Sequence, residues 1–172
     1  MGFNHVSITL DDEEYHYDYK SYWNANIGYE RQFKGVVSLT EFTYSKAKFD
    51  EYDLKGNSIW FNPAQTEDLT VMSVTTYAGK TINPNKRIQF PVYIGIGGEY
   101  LSGGPIHNLA IDLALKARVK FYITDKIGIY GGGTARIGYG MKKASEKDAS
   151  NKTYYSVVPT MWALDAGLVI GL

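Results

Sequence analysis

The chain carries three histidines, His5, His16 and His107, and no cysteine. His5 stands two residues before Ser7. On an extended strand residues two apart share a face, so an imidazole there could deprotonate the hydroxyl for attack on an ester. The alternation sets the pair opposite Val6, Ile8 and Leu10, and it reads as incidental. His16 and His107 fall near loops, and nothing gathers the three into metal-ligand spacing. Glu99 and Asp112 could act as an acid–base pair, but beside Lys116, Arg118 and Lys120 they read as salt-bridge partners. Gly131-Gly132-Gly133-Thr134 lacks the lysine and the strand-to-helix setting of a phosphate loop, and reads as strand glycine packing. The run Asp11–Glu14 reads as a solvated acidic loop. Without cysteine, disulfides and thiol catalysis are excluded. Lys+Arg and Asp+Glu both number 18, so no charge field steers the chain onto nucleic acid. The expectation is a protein that is not an enzyme and takes no cofactor or metal.

The elements that must position these residues are strands. Fifteen Tyr, 18 Gly and a 15% aromatic share favour strand and turn over helix. Leu109–Ile123 is the most regular segment. Leu109, Ile111, Leu113, Leu115, Ala117, Val119, Phe121 and Ile123 fall on one face, opposite Asp112, Lys116, Arg118 and Lys120. A period of two held this long means one strand with an apolar and a polar side. The pattern recurs at Tyr15–Phe33, where Tyr15, Tyr17, Tyr19, Trp23, Ala25, Ile27, Tyr29 and Phe33 oppose His16, Asp18, Lys20, Asn24, Asn26, Glu30 and Gln32. It recurs at Ile88–Tyr100, and strands follow at Ile127–Met141 and Tyr154–Leu172. Phe3–Leu10, Val36–Phe49 and Leu69–Ile82 complete about eight strands, although Glu41 and Val71–Met72 blur the phase of the last two. An even count suits a closed antiparallel up-and-down barrel with no free edge. Lys34–Gly35, Asn83–Lys86 and Thr124–Lys126 are tight connections, whereas Asp50–Asp68, Ser102–Asn108 and Lys142–Lys152 are longer. All tight turns then share one end. No domain boundary, linker or repeat interrupts residues 1–172, which read as one domain.

Alternation leaves open whether the apolar face looks outward into lipid or inward into the cavity of a soluble, lipocalin-like barrel that binds lipid or a small molecule. Strands of this length exceed the roughly 9–11 residues that cross a bilayer at a tilt. Aromatics at strand ends suit interfacial girdles, with Tyr15, Tyr17 and Tyr19 at one end and Tyr29 and Phe33 at the other. The polar faces carry both signs: Glu30, Glu99, Asp112 and Asp165 against Lys116, Arg118, Lys120 and Arg136. These eight are expected to point into a narrow lumen and pair there. A mean hydropathy of -0.26 does not oppose this, because alternating strands dilute the signal. Pro91 and Pro159 fall on polar faces inside strands, where local bulges are expected. The first residues show no charged-then-apolar leader, as for a mature or trimmed chain or for a protein that is not exported.

The C-terminal stretch Asp165-Ala-Gly167-Leu-Val-Ile170-Gly-Leu172 resembles the assembly signal of outer-membrane proteins, in which a polar residue, a glycine and two hydrophobic residues close the last strand. Leu172 stands where that family usually has an aromatic residue. With Gln89–Gly95 and Ile127–Gly131, nearly the whole chain resembles the small eight-stranded, porin-like outer-membrane barrels of the OmpA/OmpX/OmpW type, such as Bacteroidetes carry. The resemblance implies a location in the bacterial outer membrane, lipid as surroundings, the barrel-insertion machinery as assembly partner, and loops open to an unidentified surface ligand. His5 and Ser7 also resemble the His-x-Ser pair of outer-membrane lipid A deacylases. Their phase turns them to the lumen, whereas a lipid-cleaving site should face the membrane, so a hydrolase stands as the second alternative.

Overall fold

Two-residue periodicity becomes burial with the same period. In the computed structural model, β6 (Ile88–Gly103) alternates exposed and buried positions from end to end, and β5 (Leu69–Ile82) does so in the complementary phase. The structure describes residues 3–10, 15–54, 57–58, 68–84, 86–103, 106–143 and 154–170, with side chains at 19–48, 68–84, 86–103, 107–141 and 156–170. The other strands are β1 (Phe3–Leu10), β2 (Tyr15–Phe33), β3 (Val36–Leu54), the two-residue β4 (Asn57–Ser58), β7 (Ile106–Tyr122), β8 (Ile127–Lys143) and β9 (Tyr154–Ile170). All pairings are antiparallel; each joins strands consecutive in sequence except β3–β5, which passes over the short β4, and β1–β9, which joins the two ends of the sheet. The eight long strands therefore form an up-and-down ring, with β4 as a flap on the end of β3.

Four segments are longer than the sequence predicts, β8 by the two residues that carry it from Met141 to Lys143. β3 continues to Leu54 rather than Phe49, so the connection expected at Asp50–Asp68 loses its first residues to the sheet. β6 and β7 extend to Gly103 and from Ile106, leaving residues 104–105 where Ser102–Asn108 was expected as a longer loop. Extended pairing such as Ser102↔His107 continues because nothing at those positions breaks it. β9 ends at Ile170, and Leu172 lies outside the described residues, as does Asp11–Glu14. The turns at Lys34–Gly35, 83–87 and 123–126 share one end, and the strand ends at Leu54, Leu69, Lys143 and Tyr154 lie at the other. Lys34 and Gly35 both take positive φ, 49° and 83°, as a two-residue hairpin of right-handed twist requires.

The phase of β2 differs from the sequence reading. Its pairing with β3 shifts register between Asp18 and Tyr19 and again between Ser21 and Trp23. An extra residue in one strand flips every side chain beyond it. Tyr19, expected in an outer girdle with Tyr15 and Tyr17, is instead 1% exposed and packs inside against Leu69, Val71, Leu101 and Met161. Lys20, expected on the inner face, is exposed. The side chains of Tyr15 and Tyr17 lie outside the described residues. The prolines depart from expectation as well. Pairing skips Phe90–Pro91 on the β7 side and Gly138–Tyr139 opposite Pro159, yet the register is identical before and after each gap. No residue is inserted, so these are interrupted ladders and not bulges. Gly138 makes room for the second ring: a Cβ there would come 2.7 Å from Pro159 Cγ.

Closure is uneven along the axis. β1 spans 8 residues, β2 spans 19 and β9 spans 17. Toward the long-connection end β1 joins β2 and β9, from His5 to Leu10 on one side and from Phe3 to Leu10 on the other. Toward the short-turn end, among the described residues, Asp165–Ile170 of β9 and the lower half of β2 pair only with β8 and β3.

Candidate functional site

The inner surface is built from the alternate residues that each strand must turn inward. β7 contributes Asp112, Lys116, Arg118 and Lys120, β8 contributes Arg136, and β9 contributes Asp165, all buried. The hub comes from β3. Glu41, 2% exposed, accepts from Lys116 Nζ through Oε1 at 2.5 Å and from Arg118 NH2 through Oε2 at 2.5 Å. Asp165 Oδ2 holds the same two cations from the other side, Arg118 at 2.9 Å and Lys116 at 3.4 Å. Lys120 donates to Glu30, whose second oxygen accepts from the Tyr93 hydroxyl at 2.8 Å. Arg136 donates to Ser73, to Thr43 at 3.4 Å and to the Tyr77 hydroxyl at 3.3 Å, with Asp112 3.7 Å and Glu41 4.0 Å away.

Aromatic rings and absent side chains make space for this lattice. Arg118 lies over the Tyr130 ring at 4.2 Å and Lys116 over Tyr77 at 5.5 Å. Tyr77 packs across Gly95, where any Cβ would overlap its ring. Tyr130 packs across Gly167, where a Cβ would meet Cε1 at 2.8 Å. At the level of Glu41, Lys116 and Arg136 the remaining void is about 10 Å³, no more than the roughly 10–15 Å³ that one water needs. The lumen is filled by its own side chains at that level.

Of the eight charged residues named from sequence, all are inward, but they do not form one network. Glu30, Asp165, Lys116, Arg118, Lys120 and Arg136 make close contacts. Asp112 reaches Arg136 only at ion-pair distance, and Glu99 is buried with its Oε1 unpartnered among the described residues. Glu41 was missed, because a charged residue between Thr40 and Phe42 disturbed the apparent phase of β3. It is the only acidic or basic residue between Val36 and Ser45, and a charged residue among apolar and uncharged neighbours in a membrane strand belongs on the inner face. In the C-terminal motif, Asp165 is a lattice member, Gly167 seats Tyr130 and Ile170 is exposed on the outside.

Nucleophile chemistry finds little here. Backbone pairing sets His5 opposite Trp162 and Ser7 opposite Thr160, and the side chains of His5 and Ser7 lie outside the described residues. Ser102 Oγ and His107 Nδ1 meet at 3.1 Å on the outside of the sheet. Among the described residues, no carboxylate meets the other ring nitrogen.

The outer surface is the converse of the lumen. Leu109, Ile111, Leu113, Leu115 and Val119 of β7 are all at least half exposed, Leu115 at 61%, and β6 continues the surface with Val92, Ile94 and Ile96. The apolar row therefore does not line a cavity, as the soluble-barrel alternative requires. Searches found no matching family model and no matching curated protein. Among solved structures the chain is similar to the crystal structure of Neisserial surface protein A (NspA), with a TM-score of 0.55 at 10% identity, over 98% of this chain and 93% of that one. The two share the antiparallel up-and-down β-fold.

Proposed function

We propose that this chain is a non-enzymatic integral barrel of the bacterial outer membrane, with its lumen blocked by its own charge lattice and its long connections turned to the surroundings. Its role is envelope structure or surface interaction. The observation that carries this reading is the inversion of the sheet: exposed Ile, Leu and Val outside, buried Glu, Asp, Lys and Arg inside. In water such an outer face would be an apolar patch far beyond the few hundred Å² a soluble monomer exposes; in lipid it is the expected surface. Eight strands enclose an interior just wide enough for side chains, which fits blockage at the level of Glu41. The likeness to a Neisserial surface protein supports a place at the cell surface. Acyl chains are then the principal partner, and the barrel-insertion machinery acts on the β9 end, where Asp165, Gly167 and Ile170 stand.

Cell fractionation tests the reading. The protein is expected in the outer-membrane fraction, extractable only with detergent, and to migrate at different apparent sizes before and after boiling. Recovery in a salt wash without detergent would refute it.

A further inference from the structure

Charges on the outside of the short-turn end are arranged differently from those in the lumen. β2 turns Arg31 outward, in phase with Tyr29 and Phe33, and β5 turns Lys80 outward, in phase with Ala78 and Ile82. The turns add Lys34, Lys86, Arg87 and Lys126, all exposed. Asp125 is the one acid among them. Each cation of the lumen lattice has a carboxylate within ion-pair reach. None of these six has one among the described residues. They also lie together. Register sets Arg31 opposite Ser38 and Lys80 opposite Val36, two places apart on the outer row of β3. The two cations therefore flank β3, offset by about 7 Å along it. Lys34, Lys86 and Arg87 line one mouth of the ring, a hollow of about 680 Å³ that Asp125 shares. Lys80 has Val36 and Val92 as cross-strand neighbours. An ammonium among such residues is costly in hydrocarbon, and its four-carbon stem lets it reach the headgroup layer. Phe33, Phe90 and Phe121 are exposed at the same end, as rings at that layer are.

We propose that this belt is a binding surface for anionic phospholipid, its unpaired cations taking the phosphates of phosphatidylglycerol-type headgroups in the leaflet that the short turns meet. The inference rests on the membrane reading above, because the belt lies at a bilayer interface only if the apolar rows face acyl chains. Charge selects the lipid. A zwitterionic headgroup carries its own ammonium beside the phosphate and offers a set of like cations little net attraction, whereas an anionic headgroup compensates them. Arg31 and Arg87 can each hold two phosphate oxygens at once, and the lysines act as point charges around them. Each such cation near an anionic surface contributes about a fivefold preference, which salt weakens.

Amide NMR of the protein in zwitterionic phosphocholine micelles tests this, with short-chain phosphatidylglycerol as the probe. Saturable shifts are expected at 31–36, 78–84, 86–88 and 122–127, and not at 99–103 or 106–110 near the other end. Replacing two cations by Arg31→Gln with Lys80→Gln should weaken the apparent affinity at least about tenfold. Lys86→Gln with Arg87→Gln should do the same without touching a residue inside the sheet. Lys46→Gln with Lys48→Gln, outward on β3 toward the opposite end, should change it less than about twofold, since charges many Debye lengths away are screened. Equal shifts with short-chain phosphatidylcholine, or undiminished affinity in both belt variants, would overturn the proposal. So would equal shifts with inorganic phosphate at the same concentration, because a soluble anion at the mouth would then be the ligand. Any of these results leaves the membrane reading standing, since the protein is already folded in micelles. A parent chain that folds with no amphiphile at all would remove that reading and the proposal with it.

Discussion

Replacing Glu41 by Gln tests whether the lumen is a charge lattice or merely polar filling. The carboxylate touches Lys116 and Arg118, each at 2.5 Å, and all three groups are buried. Removing one partner of a buried pair costs about 3–5 kcal/mol, because the other charge is left uncompensated. Asp165 still holds both cations, at 2.9 and 3.4 Å, so the loss is expected at the lower end, about 3 kcal/mol. Glu99→Gln is the internal control. Glu99 is equally buried but its Oε1 has no partner among the described residues, so an amide relieves desolvation and is expected to be neutral or stabilising by about 1–3 kcal/mol. Adding Lys116→Met to Glu41→Gln should recover part of the loss, with a coupling of about 0.5–3 kcal/mol. Equilibrium urea unfolding from lipid vesicles, followed by tryptophan emission, measures the parent, the three single variants Glu41→Gln, Glu99→Gln and Lys116→Met, and the double variant. A Glu41→Gln variant within about 1 kcal/mol of the parent, or a Glu99→Gln variant as damaged as Glu41→Gln, would refute the lattice.

Gly95→Ala should cost about 1–3 kcal/mol in the same assay, since its methyl overlaps the Tyr77 ring, whereas Gly98→Ala, with nothing within 4 Å of the new Cβ, should change stability by less than about 0.5 kcal/mol. In planar bilayers the protein should give no resolved conductance steps, because the void at Glu41 is about 10 Å³; steady single-channel openings would contradict a filled lumen. A membrane-impermeant amine reagent on intact cells should modify Lys147 and Lys152 and spare Lys34, Lys86 and Lys126 until the cells are broken, and the reverse pattern would invert the topology.

Legibility in the sequence followed how different the two faces of each strand are. β7 carries Leu, Ile and Val on one side and Asp, Lys and Arg on the other, so its limits and inner residues were readable to within a few positions. β6 was equally clear. β2 was not, because tyrosine stands on both sides of it and the register shifts near Ser21 swap the faces without changing composition. Tyr19 was therefore assigned outward when it is inward. In β3 the inner row Val37, Leu39, Glu41, Thr43, Ser45 and the outer row Val36, Ser38, Thr40, Phe42, Tyr44 hardly differ in polarity, and the hub of the lattice stayed hidden among them. Glu30, Glu99, Asp112 and Asp165 already balance Lys116, Arg118, Lys120 and Arg136 one for one, so charge counting gives no signal for Glu41; its isolation among uncharged residues of β3 is the sign that could have found it. The uneven reach of β1 between β2 and β9 was illegible, because strand pairing across a ring depends on the relative lengths of the three strands, and no local pattern encodes it.

The central claim is that the apolar outside of the ring faces acyl chains, and one comparison of two arginine variants tests it most directly. Leu115 lies near the middle of β7 and Ile123 just past its short-turn end, and they are similarly exposed at 61% and 56%. An arginine at the bilayer midplane costs about 2–4 kcal/mol and one near the interface about 0–1 kcal/mol. Unfolding free energies in vesicles are therefore predicted to fall by at least about 2 kcal/mol for Leu115→Arg and by less than about 1 kcal/mol for Ile123→Arg. Equal penalties at the two positions, or stable folding of the parent chain with neither lipid nor detergent, would contradict the account.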